Sequence, residues 1–213
     1  MNWNSHIESL CKKLSQANGI LTKLRHYVSN ISCVSVYYSV FYSHVTYGSL
    51  VWQFTSKGNL TKITNLQKKC IRLISFSDYN DHTNPLFVIL NILKVKDVFE
   101  AELLKFFVKL KLGLIPASLN DFFVLKNNIS FRETRLKSFF QLPSFNSIRY
   151  GKNSLKYFGA LTWNNFYNNL SDKKITCSIK KFKKNFKQTC IISYRNEEQQ
   201  TSTVTFRHIL SQF

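Results

Sequence analysis

Acidic residues are scarce in this chain: 11 Asp and Glu stand against 30 Lys and Arg in 213 residues, a formal net charge of +19. A field of that sign draws polyanions, either nucleic acid or an anionic membrane surface. The shortage also narrows the chemistry, because a nucleotidyl transferase or metal-dependent nuclease needs carboxylates converging on divalent cations. Here they are scattered, and the closest set lies in Asp78-Tyr79-Asn80-Asp81-His82. An Asp- and Asn-rich turn forms for backbone reasons alone, and that reading is preferred to a metal site. Glycine is scarce too, and none of the 6 glycines stands in GxGxxG or GxxxxGK followed by Ser or Thr. Nucleotide binding through those loops is thereby excluded.

Cysteine pairs and leader signals are equally missing. Cys11, Cys33, Cys70, Cys177 and Cys190 are widely spaced, with no CxxC and no histidine at a zinc-finger interval. They read as reduced, structural thiols of an intracellular protein, nuclear or cytoplasmic. Met1 is not followed by a basic and then an apolar segment, so secretion is not expected. The histidines form no local nucleophile-and-base pattern. His26 and His44, in apolar surroundings, are expected to be satisfied core or interface residues. No cofactor, metal or small-molecule substrate is called for, and the chain by itself is not expected to be an enzyme.

Charge of either sign is absent between Arg25 and Lys57, a stretch long enough to span a bilayer. Within it Ser32, Ser35, Ser39 and Ser43 recur at helical spacing on one side, and Val34, Tyr37, Phe41 and Val45 on the other. So regular a polar stripe argues for a helix buried within a globular core or covered by a partner, and a membrane span is the lesser expectation.

What is present is mainly helical periodicity. Ile7, Leu10, Leu14, Ala17, Leu21, Leu24 and Val28 alternate three- and four-residue steps, the seam of a long first helix. Leu60, Ile63, Leu66, Cys70, Leu73 and Ile74 suggest another, with Lys62, Lys69 and Arg72 along one exposed face. Asn84-Pro85 reads as an N-cap with proline at the first helical position, and Asp97 with Glu100 has capping-box spacing before Leu103, Leu104 and Phe107. Gly113 is placed to stop that helix, and Pro116 to start a short one ending near Phe122. Residues from about 127 to 150 lose helical periodicity and are expected to form a loop or hairpin. Helix returns over 154–170 and 178–191, where Ile179, Phe182, Phe186 and Cys190 make an apolar stripe. The expected fold class is mainly α. Residues 1–78 are expected to form one thumb-like helical region, 79–192 a basic helical region with the loop or hairpin inserted, and 193–213 a disordered polar tail.

Positive charge interleaved with aromatics is the strongest remaining signal. From Lys173 to Lys187 there are seven lysines and no acid. Lys180 with Lys184, and Lys183 with Lys187, are like-charge pairs one helical turn apart, each unfavourable by about 0.2–0.5 kcal/mol in an isolated helix. Phosphates facing the helix would relieve that. A solvated lysine face is the plainer reading, but positive charge recurs on the Lys62 to Arg72 helix, at Lys105, Lys109 and Lys111, and at Arg132 and Arg135. The candidate nucleic-acid contacts are therefore Lys62, Lys68, Lys69, Arg72, Arg132, Arg135, Lys152, Lys180, Lys181, Lys183, Lys184 and Lys187. Their partner is expected to be the phosphate backbone of RNA or DNA, bound with strong salt dependence and little base specificity.

Several stretches fall in a familiar order. They are Trp3-x-x-His6-Ile7 before Lys12-Lys13-Leu14; Tyr38 to Tyr47-Gly48 and Val51-Trp52; and Leu66-Gln67-Lys68-Lys69-Cys70-Ile71-Arg72. Then come Asn84-Pro85-Leu86-Phe87 with Ile92-Leu93, Gly113-Leu114-Ile115-Pro116, Thr134-Arg135, Tyr150-Gly151-Lys152-Asn153-Ser154 before Gly159-Ala160 and Trp163-Asn164, and Ser178-Ile179-Lys180-Lys181-Phe182-Lys183. From Trp3 to about Ile191 the chain resembles the region after the catalytic palm in reverse transcriptases of non-LTR, LINE-type retrotransposons. The resemblance implies a helical thumb-like bundle and adjoining C-terminal region that help hold template RNA and primer DNA, partnered by upstream polymerase domains. The family's Tyr/Phe-Ala-Asp-Asp palm motif is not in this sequence, so no catalytic residue is carried over. Two other readings are a helical interaction module pairing through 7–28 and 31–54, and a membrane-associated protein using 31–54.

Overall fold

The computed structural model describes residues 3–119, 122–124, 140–145, 151, 154–168 and 179–210, with side chains on the last helix through 197. The fold is mainly α, and among the described residues no β-strand forms. The helices are α1 (Asn4–Leu24), α2 (Asn30–Val36), α3 (Ser43–Thr46), α4 (Ser49–Trp52), α5 (Lys57–Ser75), α6 (Thr83–Ile89), α7 (Val95–Lys111), α8 (Ala160–Asn168) and α9 (Ile179–Leu210). A π-helical segment, Tyr37–Tyr42, joins α2 to α3, and another, Leu155–Gly159, leads into α8. Two compact units result, and they do not follow the expected division at residue 78. The first comprises Met1–Tyr47, Thr55–Val98 and Asn185–Phe213, the second Gly48–Phe54 and Phe99–Lys184. Contacts between segments distant in sequence define such units, and helical periodicity carries no record of them.

In the first unit α1 packs on α5. Asn59 donates to Asn4 at 2.9 Å, Asn18 to the Leu66 carbonyl at 3.1 Å, and Arg25 lies over the Phe76 ring at 4.2 Å. These pairs advance together along both helices, so the two run side by side in the same direction. The α1 seam is buried at Ile7, Leu10, Leu14, Ala17 and Leu21, with Leu24 and Val28 half-buried. On α5 the stripe is rotated from expectation: Ile63, Cys70, Ile71 and Ile74 are buried with Gln67, while Leu60, Leu66 and Leu73 lie half-buried on its flanks. Ser29 and Ser56 cap α2 and α5 by accepting from Ser32 N–H and Asn59 N–H.

The uncharged stretch is not one long helix. Tyr37, Phe41 and Val45 are buried while Ser32, Ser35, Ser39 and Ser43 are exposed. Ser35, Ser39 and Ser43 turn their hydroxyls back to the carbonyls of Ile31, Val36 and Ser39. Helicity then breaks at Gly48, whose φ of 62° is left-handed. Among the described residues no helix is long and apolar enough to cross a membrane.

Three helix ends differ from expectation or sharpen it. Helix α6 starts at Thr83 with His82 as N-cap, so Asn84 and Pro85 already lie inside its first turn, where proline's missing N–H is not needed. Helix α7 starts at Val95, which puts Asp97 inside the first turn and not at the cap. Gly113, at φ 67°, stops α7 as expected: Leu114 N–H bonds the Lys109 carbonyl and Gly113 N–H that of Leu110. Pro116 precedes a single 3-10 turn, Ala117–Leu119. The 127–150 loop or hairpin lies largely outside the described residues; within it, Gln141 N–H donates to the Val124 carbonyl.

Helix α9 runs through 193–210, the stretch read as a disordered tail. Polar composition hid an anchor there. Tyr194 is buried, donates to the Asp97 carboxylate and accepts from Lys94 N–H at 3.2 Å, while Lys94 pairs with Glu197 at 3.2 Å.

The second unit is built on aromatic rings. Phe107 lies 5.0 Å from Phe123, 5.1 Å from Phe140 and 5.7 Å from Trp163, while Trp52 packs edge-on against Phe99. Buried Asn164 accepts from Phe140 N–H and donates to its carbonyl, both at 3.0 Å, satisfying both backbone groups of that residue.

Candidate nucleic-acid interface

Helix α5 buries Asn59, Ile63, Gln67, Cys70, Ile71 and Ile74 on one face, which turns Lys62 and Lys69 outward and leaves Lys68 and Arg72 half-buried. Lys62 and Lys69 are thus presented to solvent, as the sequence pattern required. Arg72 has another task. Its Nε and Nη2 both donate to the Asp81 carbonyl, at 3.0 and 2.9 Å, and its guanidinium lies 5.8 Å from the Tyr79 ring. The Asp81 carboxylate in turn accepts from Asp78 N–H at 2.8 Å, so the acidic turn uses its carboxylate on its own backbone.

On α9 the sidedness comes from Phe182, buried and edge-on to Phe166 at 5.6 Å. Lys180, Lys181, Lys183 and Lys184 are exposed around it. Lys187 is half-buried, donating to the Tyr38 hydroxyl at 3.2 Å. Of the predicted contacts, then, Lys62, Lys68, Lys69, Arg72 and Lys187 belong to the first unit and Lys180 to Lys184 to the second. Arg132, Arg135 and Lys152 lie outside the described residues.

Lys105, left out of the predicted contacts, belongs with those of the second unit. Burial pushes its ammonium down to about 8, and Lys183 and Lys109 beside it push in the same direction. Glu102 pairs with it but does not outweigh a half-buried site ringed by cations. The unfolded chain keeps the ordinary value of 10.5. Between those two values the unfolded chain binds the extra proton, so stability rises with pH across that window. Replacing Lys105 by methionine is expected to remove this rise. Urea midpoints compared below pH 8 and at about pH 10 should show the native protein gaining on the variant; parallel curves would contradict it.

The C-terminal end of α5 holds a residue that periodicity could not flag. Phe76 adopts φ 54°, the left-handed conformation in which glycine is the usual occupant. A bulky residue there is unfavourable by about 1–2 kcal/mol. The Arg25 guanidinium over its ring recovers about 0.5–1 kcal/mol at an exposed site, so the contact does not by itself account for phenylalanine. His26, expected in the core or an interface, is exposed and edge-on to Phe76 with ring centres 6.0 Å apart.

The two buried thiols are chemically quiet. Cys33 and Cys70 are free and buried, and burial pushes the Cys70 thiol well above its ordinary value, with Cys33 beside it adding to the shift. Comparison of the chain with family models, with characterised proteins and with solved structures finds no match.

Proposed function

We propose that this chain is a helical nucleic-acid-binding module that grips phosphate backbone through the lysines of α9 and α5. On this reading it acts as the thumb and adjoining region of a non-LTR retrotransposon RNA-directed DNA polymerase, holding template and primer, with no chemical step assigned to its own residues. The observation that carries the proposal is the sidedness of α9. Phe182 anchors the helix while Lys181 and Lys184 stay exposed, in a stretch with no acid between Lys173 and Asn196. Like charges along one face are favourable only with an anionic partner. The reading as a module that pairs through residues 7–28 loses its motive, because the α1 seam is covered by α5 of the same unit.

Titrating a labelled RNA–DNA hybrid at several salt concentrations tests the proposal. Affinity is expected to fall linearly with salt on a double-logarithmic plot, and changing both Lys181 and Lys184 to Gln should reduce that slope by about 2. Binding indifferent to salt, or absent, would overturn it.

A further inference from the structure

Lysines on helices grip phosphates and read nothing of the bases. At the C-terminal end of α5 the first unit offers different chemistry. Phe76 is 48% exposed and Tyr79, three residues on, 81% exposed. Each ring has a guanidinium against it, Arg25 at 4.2 Å and Arg72 at 5.8 Å, and His26 edges Phe76. Arg72 is held in place by its two bonds to the Asp81 carbonyl. Tyr27, close by Arg25 in sequence, is 87% exposed.

We infer that Phe76 and Tyr79, with Arg25 and Arg72, form a stacking site for unpaired nucleobases of a single strand. Tyr79 contributes little to the fold through burial, and Phe76 keeps nearly half of its surface in water. Phe76 is moreover held in a left-handed conformation that its stacking on Arg25 does not offset. A strand supplies what the rings lack, a flat base for each, and a phosphate for the Arg25 guanidinium, while Arg72, its donors held by the Asp81 carbonyl, lies against the Tyr79 ring. Duplex ends and paired stretches do not fit, since their bases are already stacked. This site goes beyond the phosphate grip of α9 and α5 and stands on the rings of Phe76 and Tyr79, which that grip does not use.

The test uses the full chain and a single strand of about 12 nucleotides carrying 2-aminopurine, beside an abasic strand with the same number of phosphates. The native protein should quench the fluorophore and bind the base-bearing strand about tenfold tighter than the abasic one. Phe76→Gly, which suits the left-handed backbone and so keeps the fold, should remove both effects, and Tyr79→Ser, on an exposed side chain, should weaken both. In each the salt slope should be unchanged. Equal binding of the two strands by native protein, or quenching intact in both variants, would overturn the inference. Quenching that persists without a salt slope would leave the stacking site standing and remove the phosphate reading instead.

Discussion

Replacing Gln67 by leucine is expected to destabilise the protein by about 3 kcal/mol, although leucine is apolar and the site is buried. Three bonds are lost together. The Gln67 amide nitrogen donates to the Tyr37 hydroxyl at 2.9 Å and to the Leu93 carbonyl at 2.8 Å, and its oxygen accepts from Val95 N–H at 2.9 Å. Val95 opens α7, so its N–H has no partner within its own helix, and Tyr37 is almost fully buried. Burial holds the Tyr37 hydroxyl well above its ordinary pKa, so it stays neutral and able to accept the amide's bond. Leucine therefore strands one donor, one acceptor and one hydroxyl away from water. Tyr37→Phe removes only one partner, and Gln67 keeps the Leu93 and Val95 bonds; about 1 kcal/mol is expected there. Urea unfolding followed by circular dichroism compares the two. A Gln67→Leu variant no less stable than Tyr37→Phe would show that the hub is not holding the Tyr37–Tyr42 segment, α5 and α7 together.

In the second unit the corresponding position is Phe107. Its side chain is fully buried among Phe123, Phe140 and Trp163, and Phe107→Ala is expected to lower stability by about 4 kcal/mol through lost burial and the cavity left behind. Gly159 explains why that cavity forms so cleanly. A Cβ there would stand 2.9 Å from Phe107 Cε2 and 3.1 Å from Cζ, and a ring held by its aromatic neighbours has little freedom to move aside. Gly159→Ala should therefore be destabilising alone, yet its methyl group has room once Phe107 is truncated. The double variant is expected to be more stable than the sum of the single losses predicts, a coupling read from the thermal midpoints of the native protein, the two single variants and the double variant. Strict additivity would mean that Gly159 is required for some reason other than the approach of Phe107.

Much of the local structure was legible because it depends on neighbours a few residues away. The α1 seam, the serine stripe opposite Tyr37, Phe41 and Val45, and the stop at Gly113 all follow from side-chain spacing or backbone preference. Asn84-Pro85 misled by two residues, since proline is tolerated throughout a first turn and does not mark which position it occupies. The basic faces of α5 and α9 were legible for the same reason as the seams: residues a turn apart share a side.

Partners distant in sequence were not legible. Gln67 reads as one more polar residue between lysines, and only the arrival of Leu93 and Val95 at its amide makes it a hub. Arg72 reads as a phosphate contact until Asp81 takes two of its donors. Tyr194, in a polar stretch, becomes an anchor because Asp97 and Lys94 meet it. Phe76 differs from any helix-end aromatic only in its φ.

The scarcity of acid and the order of basic residues determined, by themselves, that this protein is a mainly helical polycation with lysines on the open faces of α5 and α9. Composition and spacing suffice for that, because net charge and helical sidedness are local properties. Which of those cations stay open to a ligand was decided only by the tertiary structure. Hydrogen-bond donors can be taken up by carbonyls and hydroxyls that lie far away in the chain and close in space, as Arg72 and Lys187 are, while Lys181 and Lys184 stay exposed.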